Sequence, residues 1–167
     1  MKDPNFARMI ESKTHMNLTN LDHQFVALAE HDKYKPLEGL LREFVTYSKK
    51  HKTSLVIFVN SIQSARSAGH FLTEQGHAHS MMHGDIPPIL RSENFDEFKN
   101  WKTNILIATD LASRGLDFPF VSHIINLDFP WTSSDYLHRA GWAGRAGWTG
   151  FVISLYWNAD LELIKEM

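Results

Sequence analysis

The sequence predicts an α/β domain with a mainly parallel central sheet and helices on both faces. Three observations carry that reading. Six short apolar runs recur along the 167 residues. Stretches with apolar residues at three-to-four spacing lie between most of them, as amphipathic helices require. The chain shows no internal repeat and no low-complexity tract, and its length suits one domain. Strand-like and helix-like segments that alternate in this way favour parallel strands joined by helical crossovers. Right-handed crossovers place helices on both faces of such a sheet.

The elements follow in order. Residues 1–20 have no clear period and read as a flexible lead-in or linker, so that the domain proper is expected over 21–167. His23–Ala29 (HQFVALA) reads as the first strand. Leu37, Leu40, Leu41, Phe44 and Val45 form a helical stripe, with Pro36 near its start, where a missing N–H does little harm. Ser54–Val59 (SLVIFV) is almost wholly apolar, as in a strand covered on both faces. Ile62, Ala65, Gly69 and Leu72 form a second helical stripe that ends near Gly76. Ala78–Met82 reads as a weak strand and Ile89–Trp101 as a helix. Ile105–Thr109 and Val121–Leu127 are strand-like, Ser133–Ala143 is a helix with a Ser/Asp-rich start, and Phe151–Tyr156 is a last strand. A final helix is expected over Asp160–Met167.

Composition excludes several classes. Hydrophobic residues make up 43% and charged residues 22%, ordinary for a soluble globular domain. There is no cysteine, which rules out disulfides and thiolate metal sites and suits an intracellular protein. No apolar run has the length of a membrane span, so no membrane partner is expected. The net charge is −2, so nucleic-acid contact must come from local basic groups. His77, His79 and His83 are close in sequence but lack the further ligands of a metal site, and no protein-bound metal is expected. Trp131 and Phe129, beside Pro130, read as loop-packing residues rather than base-stacking ones.

In parallel α/β sheets, ligands sit beyond the carboxyl ends of the strands. After the strand ILIA, residues 109–117 (TDLASRGLD) place a hydroxyl, a guanidinium and two carboxylates in one loop. Gly115 permits a backbone conformation or a close approach that a side chain would block. The hydroxyl and N–H groups suit a phosphate, and Asp117 suits a sugar hydroxyl. Residue types alone also allow a polar loop with a glycine turn. In residues 136–150 (YLHRAGWAGRAGWTG), a helix would put His138, Trp142 and Arg145 on one stripe, with Arg139 about a quarter-turn away. Such a stripe can present arginine to a triphosphate, whereas a glycine-rich helix end with a solvated arginine remains open.

Together these segments, about 20 residues apart and separated by VSHIINLDFP, resemble the C-terminal helicase domain of DEAD-box ATP-dependent RNA helicases. TDLASRGLD looks like the family's motif V and YLHRAGWAGRAG like its motif VI. SLVIFVNS (54–61) looks like motif IV, and MHGDIPPILR (82–91) resembles the stretch with HGD followed by Gln-x-x-Arg. A RecQ-like DNA helicase is less similar, since its motif V lacks the Ser-Arg-Gly-Leu-Asp run. The resemblance implies a three-layer RecA-like fold that closes with an N-terminal RecA-like domain on ATP and single-stranded RNA. It implies that Arg145 is an arginine finger, that His138 and Arg139 bridge to the partner domain, and that Asp117 and Gly115 face the nucleotide. Asn60, Ser61, Gly84, Arg91 and Thr109 would line the RNA sugar-phosphate track. Such contacts set register without reading sequence, and 2′-hydroxyls favour RNA over DNA.

Neither a G-x-x-x-x-G-K-[ST] loop nor an Asp-Glu-Ala-Asp box occurs in these residues, so the phosphate cradle and the Mg²⁺ ligands are expected from the N-terminal domain. The domain alone is expected to be inactive and monomeric. Two positions depart from the family pattern. Trp142 stands where motif VI carries an arginine, and Pro88 stands at the glutamine of Gln-x-x-Arg; Trp148 also occupies a position where a further arginine is common. An arginine finger contributes roughly 10³–10⁵ in rate, so Trp142 puts ATP turnover in question. The competing expectation is a non-catalytic helicase-derived scaffold that docks RNA or protein.

Overall fold

The computed structural model describes residues 10–12, 20–29, 32–117, 121–144 and 148–167. Seven strands form one sheet: β1 (Ile10–Ser12), β2 (Leu21–Ala27), β3 (Ser54–Val59), β4 (Ser80–Met82), β5 (Ile105–Thr109), β6 (Val121–Asn126) and β7 (Gly150–Tyr156). Their order across the sheet is β1-β2-β7-β6-β3-β5-β4. All neighbours from β2 to β4 in that order are parallel, and β1 pairs antiparallel on β2. The expected α/β class with a mainly parallel sheet is what the chain adopts. Strand β1 is an addition: it lies within the lead-in where the sequence shows no period.

Alternation along the central strands sorts the core into two layers. Leu55, Ile57 and Val59 of β3 point to one face, together with Ile105, Ile107 and Ile125. That face is covered by α1 (Tyr34–Ser48) through Leu37, Leu41 and Phe44, and by α2 (Ile62–Glu74) through Ala65, Ala68 and Leu72. Val56 and Phe58 point the other way, with Leu106, Ala108 and Ile124. There they meet Phe98 of α3 (Pro88–Lys99), Tyr136 and Ala140 of α5 (Ser133–Ala140), and flanking residues of α6 (Leu161–Glu166). Every residue of β3 and β5 is buried, which explains why their sequences run apolar instead of alternating. No helix of the described residues is long and apolar enough to cross a membrane.

One boundary falls where the sequence placed it, and two others differ for identifiable reasons. Helix α2 stops before Gly76, which takes φ +76° while the His77 N–H bonds back to the Leu72 carbonyl (2.9 Å) and the Gly76 N–H to Thr73 (3.0 Å). This is the Schellman ending that glycine makes inexpensive. The stretch after β5, expected as a loop, opens with a single helical turn, α4 (Asp110–Ser113). Helix α5 starts where the Thr132 side chain accepts from the Asp135 N–H (3.0 Å), but it ends at Ala140 instead of Ala143. Beyond it the chain turns through Gly141 and Trp142 to Gly144, at φ +70°.

Candidate functional site

The carboxyl ends of β3, β5 and β6 are tied together by one side chain. Arg139, on the last turn of α5, has no exposed surface. Its five N–H donors meet five acceptors. Nε and Nη2 bind the two carboxylate oxygens of Asp110 (2.7 and 2.6 Å). Nη2 also donates to Asn60 Oδ1 (2.6 Å), and Nη1 donates to Asn126 Oδ1 (3.2 Å) and the Asp128 carbonyl (2.8 Å). The guanidinium carbon lies 5.2 Å from the Phe58 ring centroid. A buried cation is tolerated only when paired and hydrogen-bonded, and here every donor is used.

The tie extends outward through Asp128. Its carboxylate accepts from Lys33 Nζ (2.5 Å) and from the Asn60 N–H (2.9 Å), and Lys33 also donates to Ser64 Oγ (2.9 Å). Burial would raise the Asp128 carboxyl, but the Lys33, Ser64 and Asn60 hydrogen bonds outweigh it and hold the group below its ordinary value. A second polar chain runs inward. Asn126 Nδ2 donates to Ser154 Oγ (2.8 Å), Ser154 hydrogen-bonds Tyr136, and the Tyr136 hydroxyl meets His23 Nδ1 (2.7 Å). Burial pushes Tyr136 up and His23 down from their ordinary values, and His23 Nε2 has no partner among the described residues.

Against this frame the residues named from sequence fall into three groups. Arg139 is a correction. It was expected to bridge to a partner domain, but it is enclosed and its donors are all used inside this domain. Asn60 belongs with it: Oδ1 accepts from Arg139 and Nδ2 donates to the Phe129 carbonyl (2.8 Å), so both amide atoms are engaged in holding the fold.

The second group stands at the surface or close to it. Ser61 caps α2 by accepting from the Ser64 N–H (3.0 Å) and is exposed, as are Gly84, Asp117 and His138. Arg91 is half-buried on the first turn of α3. Thr109 ends β5 with little exposure and makes no capping hydrogen bond. Gly115 takes φ +76° with open space where a Cβ would project, so it serves the turn and not a close approach within the domain.

The third group concerns the motif VI stripe. Arg145 lies outside the described residues. Trp142 is 3% exposed, packs edge-on against Phe58 with centroids 5.2 Å apart, and lies 6.4 Å from the His138 ring. Because α5 has ended, Trp142 turns into the core instead of continuing a surface stripe. Phe129 is buried as expected, whereas Trp131 is 77% exposed, contrary to its reading as loop packing.

Sequence reasoning gave no individual role to Asp110, Asp128, Lys33 or Asn126. Their partners lie far off in the chain (Lys33 to Asp128 spans 95 positions), and only folding brings them together. The one available signal was an aspartate directly after each of two apolar strands. Among the described residues no group of His, Asp and Glu is arranged to hold a metal ion.

Comparisons with known proteins agree with this fold. The family described as "Helicase conserved C-terminal domain" matches residues 32–147. The chain is 38% identical over 131 residues to the ATP-dependent RNA helicase DBP3 of Saccharomyces cerevisiae, covering 78% of this chain and 25% of that protein. It thus spans about a quarter of that relative's length. Among solved structures it is similar to the RNA helicase Prp28 from Chaetomium thermophilum bound to ADP (TM-score 0.77, 28% identity, 90% of this chain and 36% of that one). It is also similar to S. cerevisiae Dbp5 bound to RNA and ADP BeF3 (TM-score 0.72, 28% identity, 88% and 37%). The parallel sheet, the strand-end loops and these matches together show that the chain belongs to the helicase conserved C-terminal domain family, with the RecA-like α/β fold.

Proposed function

We propose that this domain is the RNA-binding second half of an ATP-dependent helicase, and that it completes an ATP site held mainly by an N-terminal RecA-like domain. The observation that carries the reading is the Arg139 tie. It fastens the segments that follow β3, β5 and β6 into one unit. Residues expected to face RNA (Ser61, Thr109), those expected to face the nucleotide (Asp117, Gly115) and His138, expected to bridge to the partner domain, are therefore held in a fixed relation. Dbp5, bound to RNA and ADP BeF3, supports the same two ligands here.

The described residues fit part of a nucleotide site. Asp117 is an exposed carboxylate just beyond the Gly115 turn, suited to accept from a ribose hydroxyl, and His138 is an exposed imidazole suited to bridge to the partner domain. Bound Mg-ATP supplies the energy of closure and hydrolysis, with Mg²⁺ ligands from the other domain. This chain's part is to orient and to stabilise charge, with Arg145 approaching the γ-phosphate. RNA would lie across Ser61, Gly84, Arg91 and Thr109. The test is the ATPase rate of the polypeptide that joins this domain to its N-terminal RecA-like domain, with and without single-stranded RNA. RNA-stimulated turnover is expected, and a folded protein that binds RNA with no turnover would sink the catalytic half of the reading.

Trp142 favours a second reading, an RNA-docking scaffold with weak or no turnover. Its indole is buried against Phe58, so it offers no cation to a nucleotide. In that case W142R gives no gain in turnover. Because it also places a charge in the core, its melting temperature should fall, and rates are compared only below that melt.

A further inference from the structure

We propose that Arg66 is an additional RNA-phosphate contact of this domain, held by Asp85 when RNA is absent and transferred to a backbone phosphate when RNA binds. The proposal rests on the RNA track described above and adds a residue outside it. Arg66 lies on α2 one turn beyond Ile62, so both project from the same side of the helix. Ile62 reaches the loop after β4: its Cδ1 is 3.9 Å from where a Cβ on Gly84 would stand. Arg66 Nη2 then meets Asp85 Oδ2 at 3.0 Å. The pair therefore sits beside Gly84, on the helix that Ser61 caps.

Three features make this pair a switchable contact and not a structural one. Its side chains are 63% and 54% exposed, and an ion pair that open to water stabilises little. Exchanging Asp85 for another anion therefore has a small cost. The second feature is the shortage of other donors. The first turn of α3 presents Pro88, Ile89 (74% exposed) and Leu90 (48%), so it offers no side-chain N–H before Arg91. His83 adds no charge: burial, then the nearby Arg66, hold its imidazole below the ordinary value, with Arg91 acting in the same direction and Asp85 opposing. Arg66 and Arg91 are the arginines whose charge reaches His83, and Lys33 nearby is engaged by Asp128. Third, Asp85 engages a single guanidinium nitrogen, whereas a phosphate can take the planar fork at two positions. A phosphate entering here gains Arg66 and is repelled by Asp85, so Asp85 is a built-in competitor.

The experiment uses the 167-residue chain and fluorescently labelled single-stranded oligouridylate, with binding followed by anisotropy across a salt series. R66A is expected to weaken binding roughly tenfold and to reduce the slope of log K against log salt by about 0.7. D85N is expected to tighten binding by about two- to fivefold, the release of one exposed ion pair. Its effect should vanish in the R66A background. E74Q makes the same charge change at the far end of α2 and should leave binding as it was. Oligothymidylate should register R66A to the same degree, because a phosphate contact reads no sugar. Inorganic phosphate at matched ionic strength should not displace either strand; if it does, the corner is a free-phosphate site and the proposal falls. The proposal is also overturned if D85N weakens binding alongside R66A, as for a pair that merely holds the loop. It is overturned too if D85N matches E74Q, or if R66A binds like the wild type. A folded wild-type chain that binds neither oligonucleotide would instead remove the RNA track itself, and the proposal with it.

Discussion

Arg139 shows how a residue can be indispensable to a site without facing a ligand. Its guanidinium neutralises Asp110 inside the domain and aligns Asn60, Asn126 and the Asp128 carbonyl around one plane. R139M keeps much of the side-chain volume but leaves Asp110 uncompensated, so urea unfolding should show a loss of about 3–5 kcal/mol. Adding D110N should recover part of that loss, because the stranded charge is then gone. If R139M unfolds like the wild type, the tie contributes nothing and the frame must be held elsewhere. The identity of this arginine was plain in the sequence, but its role was not. A helical projection places residues around an axis, and it cannot register that α5 ends at Ala140 or that acceptors from three other strand ends enclose the side chain. Trp142 was misplaced for the same reason: it lies past the helix end and joins the Phe58 core.

At the level of elements, backbone chirality decided the ends that hydrophobic period could not. Gly76 and Gly144 both adopt positive φ, where a Cβ is strained. Gly76 has open space around it, whereas a Cβ on Gly144 would stand 2.5 Å from Leu21 Cδ2 and 3.2 Å from the Asn20 carbonyl oxygen. G76A should therefore lower stability by about 1 kcal/mol and G144A by more, roughly 2–3 kcal/mol, in denaturant melts of the two variants. Equal losses would mean that the Leu21 side chain simply moves aside. The apolar strands β3 and β5 were legible because burial on both faces leaves a continuous hydrophobic run. β1 was not, since a three-residue edge strand is specified by pairing with β2 more than by its own pattern.

Across the described residues, three buried or partly buried histidines contribute to the response to acid. Burial lowers His23, His83 and His123, the last to about 4. All three are neutral in both states well above the unfolded value of about 6.5. As pH falls through that value the unfolded chain takes up protons that the folded domain refuses, so stability declines. The His123 share keeps growing until about pH 4, where its folded form also protonates. Its full size is on the order of 3 kcal/mol. Asp128, held low by Lys33, adds its own loss only at more acidic pH, as the pH falls through its folded value. H123F fits a pocket already lined by Phe44, Tyr47 and Phe151. It should shrink the drop in urea midpoint between about pH 7 and about pH 5, and an unchanged drop would place the acid sensitivity at other groups.

Hydrophobic period, turn residues and the order of TDLASRGLD, YLHRAGWAGRAG and their neighbours were enough to determine the α/β class, the order of the six parallel strands and the longer helices, and the kinship. Those properties are local or depend on order alone, so a linear chain carries them openly. Tertiary structure alone decided which polar residues face outward. Arg139 turned inward, Arg66 and Asp85 met across a loop, and Trp142 left the surface. Each outcome depends on partners many positions distant and on where a helix ends, and burial leaves no mark on the identity of a single residue.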